Sequence, residues 1–221
     1  GAQLGVISEG ANSAGAWLAG AVPHRGPGGK AQEGGGLDAG ALRIANLRTW
    51  ILFGALDPAL DAGIEGDRGP AGAEFVVALT PYATPELERV AHLLLPIGTF
   101  AETSGTYVNL EGRWQSFNGA AKPVGEARPG WKVLRVLGNL LNLPKFDYQT
   151  SEEVREELRA LCSTGGELPQ AYAGSHVPAA GTAGAGAARV SDVGMYRVDA
   201  LVRRAPALQA TRIGRMPAQS Y

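Results

Sequence analysis

Residues 75–95 read FVVALTPYATPELERVAHLLL and carry the pattern that decides the fold. Phe75 to Leu79 is a short apolar run rich in valine, which is typical of a strand buried on both faces. Thr84 offers a helix N-cap and Pro85 fits the first helical position, so a short helix follows. Leu93 to Leu95 then forms another apolar run. The stretch therefore predicts a strand, a helix and a parallel strand.

The same alternation extends upstream. Leu4 to Ser8 has the length of a buried strand, and Ala11 to Gly20 reads as a helix of small residues that opens near Asn12 or Ser13, both acceptable caps. Thr49 to Phe53 is another apolar run with strand character, expected to be buried on both faces. We therefore predict the α/β class with a doubly wound, mainly parallel sheet.

The residue composition of the sequence changes after Ile97. Thr106 to Phe117 is richer in polar and aromatic residues and contains glycines at turn positions, so an extended β excursion is expected. Trp131 to Leu141 has a wide apolar helical face. Thr150 and Glu153 form a predicted capping box for a last helix, whose apolar positions are Val154, Leu158 and Leu161. The acidic pairs Glu152-Glu153 and Glu156-Glu157 are expected on its solvated face.

Two stretches near the carboxyl end are poor in regular structure. Gly165 to Ala188 has the composition of a flexible linker, and Met195 to Thr211 regains enough apolar residues to dock as a strand or an extended tail. The predicted organisation is an α/β domain at 1–162 with its upstream part missing, a Gly/Ala-rich linker at 163–190 and a docking tail at 191–221.

Composition excludes several function classes. The chain has 20 basic and 21 acidic residues and a formal charge of -1, so binding to nucleic acid is not expected. No apolar run reaches the length of a membrane-spanning helix, so no direct membrane insertion is expected. The chain starts with Gly1 instead of methionine, which we interpret as a segment of a longer polypeptide. The glycine-rich loop from Pro23 to Gly36 lacks the spacing of a P-loop and is predicted to be exposed.

The residues that usually bind metals are few and scattered. Cys162 is the single cysteine, and one thiolate cannot replace the four that usually hold an iron-sulfur cluster. His24, His92 and His176 lie far apart and none is spaced as a ligand partner of the cysteine. We therefore predict no metal site in this segment.

The most specific motif is LLPIGTFAETSGTYVNLEGRWQ at residues 94–115. It resembles the segment of the molybdopterin oxidoreductase superfamily in which a Leu-Pro strand end leads into Glu-x-x-Gly-Thr-x-x-Asn-x-Glu-Gly-Arg-x-Gln, and residues 122–131 continue the resemblance. In the enzymes of that superfamily this region lies near the pterin dinucleotide. The resemblance implies five candidate cofactor-binding residues, which are Glu102, Gly105, Thr106, Asn109 and Gln115.

A structural interpretation competes with the cofactor interpretation at these positions. The same residues are able to hold a buried loop, with Glu102 and Asn109 bonding main-chain groups. We favour this interpretation, in which the five positions are vestigial and the segment has no catalytic residue. The reason is a narrower resemblance to the C-terminal part of the large iron-sulfur subunits of NADH:quinone oxidoreductase, respiratory complex I. It is carried by residues 12–15, 19–29, 36–39 and 196–209. One departure is Gly54-Ala-Leu-Asp-Pro58, where that family usually carries Gly-x-Glu-Pro.

The narrower resemblance implies a structural part of such a subunit in the peripheral arm of complex I, on the cytoplasmic face of a bacterial inner membrane. The arm transfers electrons from NADH to quinone, so the segment would be part of an enzyme. Its partners would be the other arm subunits. No cofactor is expected in this segment, since the iron-sulfur clusters would lie upstream and FMN, NADH and quinone elsewhere in the complex.

Two alternatives remain open at this point. The segment is alternatively the cofactor-binding fragment of a molybdopterin-dependent reductase or formate dehydrogenase, which would hold a pterin dinucleotide with residues 102–115. A module that binds another nucleotide has only the general crevice of an open α/β sheet in its favour.

Overall fold

A computed structural model describes residues 10–54, 69–163, 196, 199 and 201–215. The chain divides into two compact units, Gly1–Tyr172 and Ala173–Tyr221. The predicted strand at residues 4–8 and the predicted linker lie outside the described residues. The domain boundaries inferred from composition stay a prediction.

The first unit contains a parallel sheet of three strands. These are β1 (Thr49–Phe53), β2 (Phe75–Thr80) and β3 (Leu93–Pro96), in the order β1-β2-β3. Both pairings are parallel, with Ile51 opposite Val77 and Val77 opposite Leu93. The predicted α/β class and the parallel pairing are confirmed.

A short helix, α3 (Pro85–Val90), connects β2 to β3. Thr84 caps it as predicted, since its Oγ1 accepts a hydrogen bond of 3.2 Å from the main-chain N–H of Leu87. The Leu87 side chain is fully buried against one face of the sheet. The core on this face consists of Trp50, Leu52, Val76, Ala78 and Leu87.

The prediction that β1 is buried on both faces is wrong. Trp50 and Leu52 are buried, but Thr49, Ile51 and Phe53 alternate with them and are exposed. Only the face of the sheet that carries α3 is covered along the whole of β1 by the described residues, because side chains of one strand point alternately to opposite faces.

The expected β excursion is an antiparallel hairpin of β4 (Gly105–Val108) and β5 (Trp114–Phe117). A 3₁₀ turn at Phe100–Glu102 precedes it. The remaining described helices of the first unit are α1 (Ser13–Ala19), α2 (Ala39–Ile44), α4 (Gly130–Leu140) and α5 (Ser151–Ser163). Helices α4 and α5 confirm the predictions at 131–141 and after Thr150.

Helix α5 helps to enclose a second core. Ala14 and Leu18 of α1 and Val108 of β4 are buried there, with Trp114 and Cys162 packed against them. Because α1, the hairpin and α5 meet at this core, it fixes the position of the hairpin relative to the rest of the unit.

The glycine-rich loop is not simply exposed as predicted. Pro27–Gly29 forms a 3₁₀ turn in which Gly28 and Gly29 are buried. Gly28 has a φ of +80°, and a Cβ on it would lie 3.0 Å from the main-chain oxygen of Leu161 in α5. Glycine at this position permits the close approach of α5.

In the second unit, the prediction of a strand or extended tail is wrong for the described residues. They form a 3₁₀ turn at Val202–Arg204 and a short helix, α6 (Pro206–Gln209). The Asp199 carboxylate accepts hydrogen bonds of 2.9 Å from the N–H groups of Leu201 and Val202. This local bonding favours a helical turn over an extended chain.

Candidate functional site

The first unit contains a cavity of about 230 Å³ between the hairpin, α1 and α5. The hairpin contributes Gly105, Thr106, Val108 and Trp114, and α4 contributes Trp131. Its remaining lining residues are Asn12, Gly15, Ala19, Ser104, Ser151, Val154, Arg155 and Leu158. Two of the five predicted cofactor-binding residues, Gly105 and Thr106, therefore lie at the cavity, whereas the other three do not line it.

The carboxylate of Glu102 is hydrogen-bonded within its own turn. Its Oε2 accepts a hydrogen bond of 2.8 Å from the main-chain N–H of Thr99 and one of 3.0 Å from the Thr99 hydroxyl. Together with the Thr99 side chain, it forms a capping box on the 3₁₀ turn. This carboxylate therefore stabilises the turn that leads into the hairpin.

Asn109 holds the turn of the hairpin. Its Oδ1 accepts hydrogen bonds from the main-chain N–H groups of Glu111, at 3.1 Å, and Arg113, at 2.9 Å. Gly112 completes the turn with a φ of +79°, a conformation that glycine adopts without steric cost. The amide oxygen is thus occupied by the main chain.

Gly105 and Thr106 each contact the residue that lies opposite on β5. Gly105 lies opposite Phe117, and a Cβ on it would come within 2.8 Å of the Phe117 ring. Thr106 lies opposite Ser116, and their hydroxyl oxygens are 2.9 Å apart. Gln115 is paired with Tyr107 across the hairpin and is exposed.

The sequence predicted that α1 opens near Asn12 or Ser13, and the position is confirmed, but Asn12 does not cap the helix with its side chain. It occupies the N-cap position of α1 but makes no side-chain cap bond. Instead its Oδ1 accepts a hydrogen bond of 2.8 Å from the N–H of Val108 in β4. The competing partner lies 96 residues away, so local sequence contained no signal for it.

The sequence did not predict that α5 forms one wall of the cavity. The Ser151 and Ser104 hydroxyls are 2.8 Å apart, and Arg155 Nη1 donates to the Ser116 hydroxyl at 2.8 Å. The Arg159 guanidinium lies 5.4 Å from the centre of the Trp114 ring, within the range of a cation–π interaction. These contacts attach α5 to β5 and to the residue that precedes β4. The only sequence signal was the apolar spacing of α5, which indicated packing but no partner.

The capping box predicted for α5 is half correct. The Thr150 hydroxyl accepts a bond of 3.2 Å from the N–H of Glu153, as expected. The Glu153 carboxylate, however, accepts from the N–H of Gln149 at 2.6 Å and not from that of Thr150. The helix entrance is stabilised by both bonds.

Glu157 is not on the solvated face of α5, contrary to the prediction. Its carboxylate accepts a hydrogen bond of 2.6 Å from the hydroxyl of Tyr148. This bond, with burial and the negative charge of Glu157, raises the pKa of Tyr148 to about 12. The phenol therefore stays protonated, and able to donate, to a higher pH than an ordinary tyrosine.

The described residues offer little to a metal ion or to an incoming nucleophile. Among them, no group of three or more His, Cys, Asp and Glu side chains converges. Cys162 packs against the second core, and burial raises the pKa of its thiol, which disfavours the reactive thiolate. His92 is already hydrogen-bonded to the main chain of β2, since its Nδ1 accepts from the N–H of Val76 at 3.1 Å, while His24 is exposed and His176 lies outside the described residues.

The cavity matches neither the size nor the chemistry of a pterin dinucleotide. Its volume of about 230 Å³ is below the roughly 300–1,000 Å³ typical of sites for drug-sized ligands, and a dinucleotide is larger than such ligands. The oxygens of Glu102 and Asn109 are bonded to the main chain. The described residues therefore do not fit this group.

In the part of the chain that the structure describes, no helix has the length and apolar character to cross a lipid bilayer.

Comparison with known proteins points to one family. The profile described as "Molybdopterin oxidoreductase" matches residues 28–140. This range includes the three-stranded sheet, the hairpin and α4, whereas α5 follows it.

Individual relatives match shorter segments. The 78 kDa subunit of mitochondrial NADH-ubiquinone oxidoreductase from Candida albicans is 37% identical over 94 residues, which are 42% of this chain and 11% of the relative. The 75 kDa subunit of NADH-ubiquinone oxidoreductase from Reclinomonas americana is 35% identical over 73 residues, or 33% of the chain and 10% of the relative. The F420-dependent formate dehydrogenase 1 subunit alpha from Methanococcus maripaludis is 36% identical over 74 residues, or 33% and 11%. The matched segments thus span about a tenth of each relative.

Proposed function

The chain belongs to the molybdopterin oxidoreductase family, and we propose that it is a structural part of the large iron-sulfur subunit of an NADH:quinone oxidoreductase. In this proposal the segment shapes and stabilises the peripheral arm, contacts the neighbouring arm subunits and contributes no catalytic residue. The resemblance of the chain to the 78 kDa and 75 kDa subunits supports the assignment to such a complex.

The single observation that carries the proposal is that the motif residues are hydrogen-bonded within the hairpin and within the turn that precedes it. Glu102 and Asn109 use their side-chain oxygens to bond main-chain N–H groups, and the Thr106 hydroxyl meets that of Ser116. A residue that is already bonded within its own turn would have to give up that bond to hold a cofactor, and a typical intramolecular hydrogen bond contributes about 0.5–1.5 kcal/mol to stability.

Helix α5 adds a second argument. It lies outside the segment matched by the family, and it places Val154 and Leu158 in the wall of the cavity that Gly105 and Thr106 also line. A helix in this position restricts the space beside the motif. We therefore propose that the five motif positions are vestigial with respect to the pterin and serve the fold.

The wider assignment follows from the same proposal. The domain would occupy residues 1–162, followed by a linker at 163–190 and a docking tail at 191–221. The iron-sulfur clusters would be held upstream of this segment, with FMN, NADH and quinone elsewhere in the complex. The subunit would lie in the peripheral arm on the cytoplasmic face of a bacterial inner membrane, without direct insertion into it and without a nucleic-acid partner.

A specific observation favours a second candidate function. The formate dehydrogenase alpha subunit is similar to this chain at 36% identity, close to the 35–37% of the NADH-ubiquinone oxidoreductase subunits. The alternative is therefore the fragment of a molybdopterin-dependent reductase or formate dehydrogenase that holds a pterin dinucleotide near residues 102–115.

The two candidates differ in what the native subunit contains. The complete polypeptide is purified from its source, and molybdenum and the fluorescent oxidised pterin are quantified per mole of subunit. A formate dehydrogenase alpha subunit treated in the same way serves as the positive control. We expect no stoichiometric molybdenum or pterin, together with co-purifying flavin and iron-sulfur subunits. Stoichiometric pterin would establish the second candidate instead.

A further inference from the structure

The cavity between the hairpin, α1 and α5 has a mainly apolar wall. Trp114 of β5 and Trp131 of α4 contribute indole rings, and Val108, Val154 and Leu158 contribute aliphatic side chains. Val108 is buried, whereas Val154 on α5 is 38% exposed. The cavity is partly open to solvent, so a small molecule is able to enter it.

The uncharged polar side chains of this wall are already hydrogen-bonded within the protein. The Ser104 and Ser151 hydroxyl oxygens are 2.8 Å apart, and the Ser151 hydroxyl donates to Glu152 Oε2 at 3.2 Å. Asn12 Oδ1 accepts from the N–H of Val108 at 2.8 Å. A polar ligand would therefore lose its bonds to water and find these oxygens occupied, which is unfavourable.

The charge in the wall is also paired. Arg155 lines the cavity, and its Nε donates to Glu156 Oε1 at 2.7 Å while its Nη1 donates to the Ser116 hydroxyl at 2.8 Å. The Ser116 hydroxyl oxygen in turn lies 2.9 Å from that of Thr106. Because the carboxylate next to it offsets the charge of Arg155, the cavity favours a neutral ligand over an anion.

The volume of the cavity sets the size of the ligand. An engineered apolar cavity of about 150 Å³ in another protein binds benzene, so the cavity of about 230 Å³ accommodates, in proportion, a molecule of about nine heavy atoms. A water molecule in a protein typically needs two to four polar partners. Since the polar groups of the wall are bonded to each other, water is held weakly here and an apolar ring displaces it at little cost.

We propose that this cavity is a binding site for a small, neutral aromatic molecule of one or two fused rings. Trp114 and Trp131 provide aromatic surface for the ring, and contacts between aromatic rings contribute beyond the apolar area that they bury. Helix α5, which forms one wall, follows the segment that the family profile matches, so the matched segment alone does not form this site. The site goes beyond the proposed function and holds for either candidate, because it rests only on the geometry of the cavity.

The test titrates the native full-length polypeptide with indole, and binding is measured by saturation-transfer NMR of the ligand. Two related molecules test the chemistry of the site. Benzimidazole has the size of indole but adds a polar ring nitrogen, and tryptophan adds an ammonium and a carboxylate to the same ring system. We expect saturable binding of indole with a Kd of about 1 mM or tighter. Benzimidazole should bind at least about fivefold more weakly, and tryptophan should show no saturable binding.

A matched pair of variants locates the binding. Ala19 and Ala160 are both exposed helical alanines, but Ala19 lines the cavity and Ala160 does not. The ring in Ala19→Phe would occupy the cavity, so we expect it to weaken indole binding at least about tenfold, whereas Ala160→Phe should leave it unchanged. Circular dichroism verifies that both variants fold. Leu158→Ala is a second variant that enlarges the cavity, and it should raise the affinity for the larger 1-naphthol relative to indole at least about threefold.

Four outcomes would overturn the proposal. No saturable binding of indole up to about 10 mM would mean that the cavity is closed or already filled in the native polypeptide. Tighter binding of benzimidazole or tryptophan than of indole would assign the site to a polar ligand. Equal indole affinity of the two alanine variants, or an unchanged ligand preference in Leu158→Ala, would place the binding elsewhere. Pterin is quantified separately on the same polypeptide, so failure here is distinguishable from failure of the proposed function.

Discussion

Asn109 shows how a residue of a recognisable motif is used when the fold itself needs it. Its side-chain oxygen bonds two main-chain N–H groups of the turn between β4 and β5. This structural role was predictable beside the cofactor role, because Asn in a turn commonly bonds the main chain a few residues further on. The local sequence gives no means of weighing the two roles at Asn109, because whether a cofactor competes for its side-chain oxygen depends on tertiary packing and not on the turn itself.

Replacement of Asn109 tests this role at the residue scale. Asn109→Ala removes the acceptor for two solvent-exposed turn N–H groups, so we expect a loss of about 1 kcal/mol in the free energy of unfolding, measured by urea denaturation. Asn109→Asp retains an acceptor and should recover most of the loss. Gln115→Ala, on an exposed residue of the same hairpin, is the control and should change stability by about 0.5 kcal/mol or less. Equal stability of Asn109→Ala and the wild type would contradict the structural role.

Tyr148 gives a pH-dependent prediction. Its hydroxyl donates to Glu157, and the bond raises the phenol pKa to about 12 from the ordinary 10.0. Because the folded pKa is above the unfolded one, this contribution is complete below about pH 10 and is lost as the pH rises towards 12. Tyr148 is only partly buried, so solvent screens the interaction and we expect Tyr148→Phe to cost only about 1 kcal/mol at pH 7.

The measurement is the difference in unfolding free energy between the wild type and Tyr148→Phe at a series of pH values. We expect a constant difference from about pH 7 to pH 9 and a decline between about pH 10 and 11.5. Glu157→Gln, which removes the negative charge while retaining an acceptor, should bring the spectrophotometric pKa of Tyr148 closer to its ordinary value. A difference that stays constant up to about pH 11.5 would be incompatible with the raised pKa.

At the scale of elements, the sequence predicted most of what is local. The bounds of β1, β2, α3, α4 and α5 follow from apolar spacing, caps and prolines, which act over a few residues. The structure differs from these predictions where a residue is held by a partner that is distant in the sequence. Asn12 bonds β4 instead of its own helix, and the loop at 27–29 is buried because α5 approaches it. Pairings of this kind depend on tertiary packing, which a local pattern does not contain.

The contact between that loop and α5 yields a matched pair of glycine variants. Gly28 and Gly34 have φ values of +80° and +83°, so alanine is strained to a similar degree at both. They differ in surroundings, since a Cβ on Gly28 would be 3.0 Å from the Leu161 oxygen and one on Gly34 would meet nothing within 4 Å. We expect Gly34→Ala to cost about 1 kcal/mol and Gly28→Ala about 1–2 kcal/mol more.

Thermal unfolding followed by circular dichroism measures both variants, and hydrogen exchange shows where the effect lies. In Gly28→Ala the amides of α5 should lose protection, whereas in Gly34→Ala they should not. Equal destabilisation by the two variants would show that backbone strain alone matters and that α5 does not depend on the close approach.

At the scale of the whole molecule, the sheet has one covered and one open side. The sequence indicated two-sided burial for β1 and β2, because continuous apolar runs are typical of strands in a parallel sheet. In the structure Trp50 and Leu52 are covered, whereas Ile51 and Phe53 remain exposed. The apolar run in β1 is therefore suited to a second layer that the described residues do not supply in full.

This asymmetry makes the stability of neighbouring variants depend on how much of the polypeptide is present. In the 221-residue chain, Leu52→Ala empties a site that is 7% exposed and should cost about 2–4 kcal/mol. Ile51→Ala removes a side chain that is 54% exposed and should cost less than about 1 kcal/mol. Urea denaturation measures both. In a longer polypeptide that supplies the second layer expected of a doubly wound sheet, Ile51 would be buried, so the cost of Ile51→Ala should rise to about 2 kcal/mol or more while that of Leu52→Ala stays the same. An Ile51→Ala cost that is equally small in both polypeptides would mean that the second layer does not reach this part of the sheet.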